Sequence, residues 1–423
     1  MAQQCLNANQ LRKTKLKMKI FLPVLTAIFA AAAPLISQDS TSTTPGEEPF
    51  IYHVGEVHFL TGEGVNLGGF LFPSLYVNGT AGGFENGFTA EDFATSEHDP
   101  LNDTGIQGIE LHLDVNFDDV VTGLVAGFGH QGHEGVWEAE LEEAFLHWNV
   151  TDVFAIGGGQ FLTAFGFQAD RHLHDWFFVN QNLANSRLLN EGELITQGGE
   201  ILVKTPSSGL LTLGFGQVKT HAHEEDPGPH PLDEVHADEA GFSDSIFTVD
   251  YRFRLPVDDS MIGSASLAVG ENGFERDSTV YGFGFRKVWN GHDHGYGGPD
   301  FCAGAIMLQG EFIGRAVDAF NEGGDAVEFS DRGVSTALHY GVSDRATLSL
   351  RHDWVSAVEV AELSDKNRFS AALTAFVDPE QRVRARIQYD HLQDAEIESE
   401  NVIWFQLQLQ WGGTGGSHAG HGH

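Results

Sequence analysis

Cysteine and long apolar runs are both scarce in this 423-residue sequence. Cys5 and Cys302 are the only cysteines, so a fold held together by several intramolecular disulfides is excluded. Beyond residue 40, no stretch reaches the roughly 18 consecutive apolar residues that a membrane-spanning helix requires. Only helices and closed barrels cross a bilayer with every backbone polar group satisfied, so insertion of this chain into a membrane would have to use strands.

Basic residues are also few, and acidic residues outnumber them. The chain has 23 Lys and Arg against 60 Asp and Glu, which gives a formal net charge of −37. Such a charge repels the phosphate backbone, so nucleic acid is excluded as a partner. The acidity would raise the local concentration of cations at any mouth that it lines. The alternative is that it only keeps exposed loops soluble.

A catalytic nucleophile within a recognisable motif is missing as well. The sequence contains no Gly-x-Ser-x-Gly, and no serine has the surroundings that outer-membrane lipases and proteases need. This absence predicts that the protein is not an enzyme. Separately, we expect that it requires no cofactor. A hydrolase remains the third alternative, and labelling by a mechanism-based probe would reveal it.

The N-terminus has the composition of a secretory signal peptide. Basic residues precede an apolar run from Ile20 to Ala33, which ends in the small residues Ala31-Ala32-Ala33, and Ser37 lies shortly beyond it. The run is too short for a spanning helix, so the pattern predicts a cleaved signal peptide over residues 1–37. A short N-terminal periplasmic segment over residues 38–62 would follow.

The clearest pattern that is present lies at the C-terminal end of the chain. From Ile403 to Trp411 every odd position is apolar, and from Gln406 to Gln410 every even position is Gln. Successive side chains of a strand point to opposite faces, so one face is apolar and the other is polar. The alternation recurs along the chain, which is typical of a transmembrane β-barrel with lipid outside and water inside.

Sixteen segments show this strand-like alternation. Short connections alternate with longer ones, as periplasmic turns and outer loops do in outer-membrane barrels, and only the connection 290–302 departs from this order. We therefore predict an all-β fold, a single transmembrane antiparallel barrel of sixteen strands over 63–411, with a His- and Gly-rich tail over 412–423. A soluble sandwich or solenoid is the alternative. The predicted strands lie near residues 65–77, 105–116, 121–129, 136–149, 153–162, 194–204, 209–219, 245–255, 261–270, 278–289, 303–316, 333–342, 345–356, 367–377, 381–391 and 401–411.

The two-residue period also divides each strand into lipid-facing and inward-facing residues. An Arg facing lipid at mid-bilayer costs roughly 2–4 kcal/mol, so the charged residues are assigned to the lumen of a wet pore. Their alternative role is to neutralise one another inside a closed barrel. The predicted acidic pore-lining residues are Glu110, Asp114, Glu138, Glu140 and Glu142, and the pair Glu142-Glu143 predicts a bulge. The predicted basic pore-lining residues are Arg252, Arg254, Arg286, Arg351, Arg382, Arg384 and Arg386.

The longest connection, 163–193, is too aromatic to lie comfortably in water. It contains Phe165, Phe167, Phe177 and Phe178, so we predict that it folds into the barrel and narrows it. The alternative is packing against neighbouring loops or a partner subunit. The residues predicted to form the constriction are Asp170, Arg171, His172, His174, Asp175 and Trp176.

One stretch of the chain resembles a known class of proteins. Gly157-Gly158-Gly159-Gln160-Phe161-Leu162-Thr163-Ala164-Phe165-Gly166 resembles the "G-Q-F-x-x-x-F-G" stretch of phosphate-selective-porin-like outer-membrane channels. The continuation from Arg171 to Trp176 is similar to a group of outer-membrane barrels linked to metal handling. The resemblance implies the fold, the channel class and a homotrimer. Phosphate selectivity is not implied, because it requires many inward Lys and Arg and this chain is strongly acidic.

Histidine is abundant, and many of the 21 histidines occur as His-x-His pairs. Imidazoles two residues apart on extended backbone point to one face, and together with carboxylates they suit Zn²⁺ or Cu²⁺. No spacing typical of a closed four-ligand site is present, so the prediction is weak metal binding, with hydrophilic loops as the alternative. The candidate ligands are His172, His174, His221, His223, His230, His236, His292, His294, His418, His421 and His423.

These patterns together predict a porin in the outer membrane of a Gram-negative-type bacterium. It would contact outer-membrane lipid and let small hydrophilic solutes diffuse passively, with cations favoured and zinc or copper among them. The alternative is a closed outer-membrane barrel that binds metal at the cell surface or acts in adhesion. Conductance separates the two, because only the channel carries current after insertion into a bilayer.

Overall fold

The computed structural model describes most of the chain beyond its N-terminal part. The predicted signal peptide, the segment 38–62 and nearly all of the tail 412–423 lie outside the described residues, so their boundaries stay predictions. The described residues are 69–117, 120–132, 136–205, 209–219, 235, 238–255, 258–293, 299–300, 302–321, 323–378, 382–394 and 399–412.

Sixteen antiparallel strands form one closed barrel, which confirms the predicted strand number. Consecutive barrel strands pair with each other, and β1 closes the barrel by pairing with β18. Two short strands, β11 (His292–Asp293) and β12 (Pro299–Asp300), form a separate ribbon in the connection between β10 and β13. The barrel strands are β1 (Gly69–Phe84), β2 (Thr104–Phe117), β3 (Val121–Gln131), β4 (Trp137–Thr151), β5 (Phe154–Leu162), β6 (Ile195–Thr205), β7 (Gly209–Val218), β8 (Phe242–Leu255), β9 (Asp258–Asn272), β10 (Asp277–Trp289), β13 (Ile306–Phe320), β14 (Ala326–Ser343), β15 (Ala346–Val355), β16 (Lys366–Phe376), β17 (Val383–Asp394) and β18 (Glu400–Gly412).

Within the described residues, helices occur only in the connections between strands. The helix α1 (Ala90–Phe93) lies between β1 and β2, and Thr89 and Asp92 form a capping box at its start. The helix α2 (Leu183–Leu188) lies between β5 and β6. No helix among the described residues is long and apolar enough to cross a membrane.

The alternation in β18 separates an outer face from an inner one. Ile403 and Phe405 are about half exposed on the outside, whereas Gln406 and Gln408 are buried inside the barrel. Trp404 also points inward, where it packs against Phe84 and Phe93. The inner face of this strand is therefore partly apolar, because it meets the connection between β1 and β2 rather than only water.

Large apolar side chains are exposed around the outside of the barrel. Leu111 of β2 and Phe283 of β10 are 59% and 60% exposed, and aromatic residues such as Trp148, Trp289 and Trp411 lie exposed near strand ends. An exposed apolar surface of this extent is unfavourable in water. It matches the apolar band and the aromatic girdles of outer-membrane barrels.

The predicted bulge at Glu142-Glu143 is confirmed. The register between β3 and β4 shifts between Ala126 and Gly127, which pair with Glu143 and Leu141. The extra residue leaves both Glu142 and Glu143 on the buried inner side, each 1% exposed. The bulge therefore places two carboxylates side by side in the lumen, where a regular strand would place one.

The glycines of β5 provide a test of the barrel wall. Gly159 has φ of 141°, and a Cβ at this position would lie 2.1 Å from the carbonyl oxygen of Ala144. We expect Gly159→Ala to lower the free energy of unfolding by about 1–3 kcal/mol. Gly83→Ala is the matched control, because a Cβ there has nothing within 4 Å. Urea unfolding in lipid vesicles measures both, and equal midpoints would contradict the expected strain.

Candidate functional site

The candidate site is the interior of the barrel, where the connection between β5 and β6 folds inward. This connection, residues 163–194, is called the constriction loop below. It contains a 3₁₀ turn at Leu173–Asp175, the helix α2 and a second 3₁₀ turn at Asn190–Gly192. The Asn182 side chain caps α2 by accepting a hydrogen bond of 2.8 Å from the amide of Asn185.

Apolar side chains of the constriction loop pack against the inner wall at several places. Phe165 belongs to a buried cluster with Val280 of β10 and Ile313 of β13. Phe178 packs with Ala337 and Ala372. Leu173 and Trp176 pack against Phe128 of β3. The predicted inward folding of this loop is confirmed.

The arginines of the later strands hold the constriction loop by its backbone. Arg384 donates to the carbonyl oxygen of His174 at 2.7 Å, and Arg386 donates to that of Trp176 at 2.6 Å. Arg351 donates to the carbonyl oxygen of Asn180 at 2.9 Å. Carbonyl oxygens that would otherwise be buried without a donor are thus satisfied by charged groups of the wall.

A buried network of ion pairs supports the contact between Arg351 and the constriction loop. Arg351 and Arg368 both contact Oδ2 of Asp353, at 3.0 and 3.1 Å. Arg368 also donates to the carbonyl oxygen of Gln181 in the constriction loop. Arg368 and Asp353 are fully buried. The sequence did not single out either residue, because an isolated inward charge gives no sign of which loop it meets.

The beginning of the constriction loop is held by β8 and by β13. Arg252 contacts Asp170 of the loop at 2.5 Å and Asp250 of its own strand at 3.0 Å. The Glu311 side chain accepts a hydrogen bond from the amide of Phe167. The guanidinium of Arg286 lies 5.0 Å above the Phe167 ring. Charged residues of the barrel wall therefore anchor the constriction loop near its beginning as well as at residues 174–181.

Histidines of the loops meet the carboxylates of the early strands. His174 Nδ1 lies 2.6 Å from Glu110 Oε2, and the His174 ring stacks on Tyr76. His172 Nε2 lies 2.8 Å from Glu143 Oε2. We call these groups and their neighbours the His/Glu cluster. Its members are His98, Glu110, His112, Glu142, Glu143, His172, His174 and Glu193.

Within the His/Glu cluster, two sets of three residues have the spacing of metal ligands. In the first set, ligand atoms of Glu110, His112 and His172 all lie within 4.8 Å of one another. The second set is His98, Glu142 and Glu193, whose ligand atoms also lie within 4.8 Å of one another. All members of both sets are buried. Each set joins residues of a barrel strand to residues of an inward connection.

Burial and nearby carboxylates change the acidity of two residues in the connection between β1 and β2. Burial raises the pKa of Glu97 to about 8. Burial would lower the pKa of His98, but the adjacent Glu193 carboxylate outweighs this effect and raises the pKa to about 10. The Glu193 carboxylate at the end of the constriction loop therefore favours the charged form of His98.

The predicted pore-lining residues differ in how far they remain accessible. The constriction loop and its neighbours bury Glu110, Glu142, Arg252, Arg286, Arg351 and Arg386. Partial exposure is retained by Asp114, Glu140, Arg254 and Arg384. Glu138 and Arg382 are exposed, and Arg382 lies in the turn before β17. Half of the predicted set thus contacts protein rather than water, and its role in lining a pore stays a prediction.

The six predicted constriction residues differ in how deeply they are buried. His172, His174 and Trp176 are buried, whereas Asp170, Arg171 and Asp175 are partly exposed. Trp176 donates its indole N–H to the carbonyl oxygen of Arg171 at 3.0 Å. The loop is therefore tied to itself as well as to the wall.

Only two of the predicted metal ligands have described side chains, His172 and His174. The other nine are called the remaining predicted histidines below; their side chains lie outside the described residues, and metal binding by them stays a prediction. The remaining predicted histidines are His221, His223, His230, His236, His292, His294, His418, His421 and His423. His98, His112 and Glu193 were not among the predicted ligands. The pair Glu110 and His112, two residues apart on one strand face, was a usable signal for the first of the two sets.

No protein-family model matches this chain, and no curated protein matches it. Solved structures do. The outer membrane channel DcaP of Acinetobacter baumannii aligns with a TM-score of 0.54 and 10% identity, over 82% of this chain and 99% of that chain. The fold is that of outer-membrane channels. An anion-selective porin from Comamonas acidovorans aligns with a TM-score of 0.52 and 9% identity, over 81% of this chain and 100% of that chain.

A third similar structure is the in-vitro folded trimer form of OmpT, an outer membrane protein of Vibrio cholerae. It aligns with a TM-score of 0.52 and 11% identity, over 81% of this chain and 99% of that chain. At these identities the likeness establishes the barrel architecture alone. Side chains rather than the barrel decide the selectivity of such a protein.

Proposed function

We propose that this protein is an outer-membrane channel through which small hydrophilic solutes diffuse passively. The observation that carries the proposal is a closed sixteen-stranded barrel with apolar residues outside and charged residues inside. Barrels of this size usually leave an aqueous passage. The constriction loop narrows the passage, and the partly exposed inner charges lie along what remains of it.

The cell outer membrane of a Gram-negative-type bacterium is the proposed location, reached through the cleaved signal peptide. The exposed Leu111, Phe283 and Leu350 support contact with outer-membrane lipid, since these side chains would be unfavourable in water. The trimer form of the similar OmpT structure supports a homotrimer. We also propose that the protein acts without a catalytic centre or a required cofactor.

Cation preference, with passage of zinc or copper, is the finer part of the proposal. Its support is the net charge of −37, which raises the cation concentration near the mouths of the barrel. The accessible charged residues of the predicted set do not favour either sign, because Asp114, Glu138 and Glu140 are accompanied by Arg254, Arg382 and Arg384. Selectivity would therefore come from the mouths rather than from the inner wall.

A closed barrel that binds metal or acts in adhesion is the second candidate. The burial of Glu110, Arg286 and Arg386 beneath the constriction loop favours it, because these charges contact protein instead of a water-filled pore. A closed barrel would remain electrically silent after insertion into a membrane, so conductance distinguishes the two candidates.

The reversal potential of the refolded protein in a planar bilayer tests the proposal. In a KCl gradient we expect discrete conductance steps and a reversal potential whose sign indicates cation selectivity, because the acidic mouths concentrate K⁺ over Cl⁻. In a ZnCl₂ gradient the sign should again indicate cation passage. An anion-selective current would contradict the cation preference, and the absence of conductance from correctly folded protein would favour the closed barrel.

A further inference from the structure

Buried nitrogen and oxygen atoms in the His/Glu cluster lack hydrogen-bond partners within the described part of the chain. His112 Nε2 and His172 Nδ1 make no hydrogen bond, although each lies near a carboxylate, at 3.5 Å from Glu110 and 3.4 Å from Glu142. Both residues are at most 4% exposed. A buried polar atom without a partner is unfavourable, so these two nitrogens point to a further ligand between them.

The environment of His172 has the arrangement that metal-binding histidines usually show. Its Nε2 lies 2.8 Å from Glu143 Oε2, which leaves Nδ1 directed toward the rest of the cluster. A ligating imidazole commonly donates the N–H of its second ring nitrogen to a carboxylate, which orients the ring and increases its basicity. Glu110 is positioned in a similar way by its contact of 2.6 Å with His174.

We propose that Glu110, His112 and His172 together bind one divalent first-row transition-metal cation such as Zn²⁺. Two imidazoles and one carboxylate are a donor set that suits this class of metal, and a fourth position stays open for water. Ligand atoms around tetrahedral zinc lie about 3.4 Å apart, given metal–ligand bonds of about 2.1 Å. Small side-chain rotations from the present limit of 4.8 Å would close the site.

The site would connect the constriction loop to the barrel wall. Glu110 and His112 lie on β2, whereas His172 lies in the constriction loop. A metal bound by all three residues would hold the loop against this wall and slow its movement. The set formed by His98, Glu142 and Glu193 supplies only one imidazole, so we assign the transition metal to the first set.

This inference goes beyond the proposed function, because binding does not require that the barrel conducts. The competing interpretation is that the His/Glu cluster binds no metal and is stabilised by ion pairs and hydrogen bonds alone. The remaining predicted histidines would add background binding, so the test uses a full-length parent in which they are replaced by Gln. Calorimetric titration of the refolded, chelator-treated parent with Zn²⁺ is expected to show one site per chain.

Variants of the two imidazole ligands should then lose the site. We expect His112→Gln and His172→Gln each to weaken Zn²⁺ binding at least tenfold, and Glu143→Gln to weaken it by about tenfold through His172. His147→Gln is the matched control: His147 is also buried and lies 2.9 Å from Glu200, outside both sets of ligands. A parent that binds no Zn²⁺, or equal affinities in the parent and both ligand variants, would overturn the proposal.

Two further measurements separate this proposal from the proposed function. With Zn²⁺, hydrogen exchange of the constriction loop should slow in the parent and stay unchanged in His112→Gln, whether or not the barrel conducts. If the parent binds Zn²⁺ but hydrogen exchange of its constriction loop does not change, the metal does not connect the loop to the barrel wall, and that part of the proposal is overturned. If conductance is absent while the site binds Zn²⁺, the channel proposal fails and the metal site stands. Heat-dependent gel mobility confirms that each variant is folded.

Discussion

Replacement of residues 165–192 by a short turn is expected to increase the single-channel conductance of the barrel several-fold. These residues cover the inner wall and bury Arg351 and Arg386, so their removal would admit water across most of the lumen. Conductance rises with the water-filled cross-section, and a barrel of this size is wide enough for an aqueous channel.

The barrel itself should tolerate this deletion. Leu162 pairs with Ile195, and the amide of Thr163 donates to the carbonyl oxygen of Leu194 at 2.8 Å, so a short turn can join the two strands. Arg351 and Arg386 would lose carbonyl partners, but water would solvate them in the widened lumen. The stability cost of an unpaired buried charge therefore does not arise.

Recordings from the deletion variant and the wild type under identical salt test this expectation. A control variant replaces residues 321–325, the turn between β13 and β14, by Gly and Ser at the same end of the barrel. Its conductance should equal that of the wild type, because most of this turn is exposed. If the folded deletion variant conducts no better than the wild type, the constriction loop does not limit the passage.

Removal of the carboxylate shared by two buried arginines is expected to destabilise the barrel strongly. Asp353 contacts Arg351 and Arg368 and accepts a hydrogen bond of 2.7 Å from Ser335. Asp353→Ala would leave both guanidinium groups buried without this partner. Breaking a buried ion pair in this way costs about 3–5 kcal/mol, because the remaining charge is neither paired nor hydrated.

Urea unfolding in lipid vesicles, followed by tryptophan fluorescence, measures this loss. Glu328→Ala removes the same charge from an exposed position on β14, and its unfolding free energy should remain within about 0.5 kcal/mol of the wild type. The unfolding free energy of Asp353→Asn should lie between those of the two alanine variants, since Asn retains the shape of Asp and a hydrogen-bond acceptor. Equal unfolding midpoints for Asp353→Ala and Glu328→Ala would mean that water reaches the arginines and that the loop does not seal this region.

The strands and the faces of their side chains could be predicted from the sequence because both depend on local geometry. Alternation in β18 separates Phe405 from Gln406 wherever the strand lies, since neighbouring side chains of extended backbone point in opposite directions. The bulge at Glu142-Glu143 was visible for the same reason, as a break in the two-residue period. The inward folding of the constriction loop followed from its aromatic content, which water would not tolerate.

The partners inside the lumen could not be predicted in this way. Periodicity indicates that Arg386 points inward, but not that it donates to the carbonyl oxygen of Trp176. Arg368 and Asp353 pair across neighbouring strands and also meet the loop at Gln181, which no spacing along the chain reveals. The role of the arginines as anchors of the loop therefore came only from the three-dimensional contacts.

The His/Glu cluster illustrates the same division. The sequence alone determined that the barrel has sixteen strands, that Glu110 points inward and that His172 belongs to an inward-folding loop, because each of these properties depends on residues close together in the chain. Only the tertiary structure decided that His98, His112 and Glu193 belong to the same cluster as Glu142 and His172. The physical reason is that barrel closure and loop packing bring distant segments together, and contacts between such segments leave no periodic trace in a single sequence.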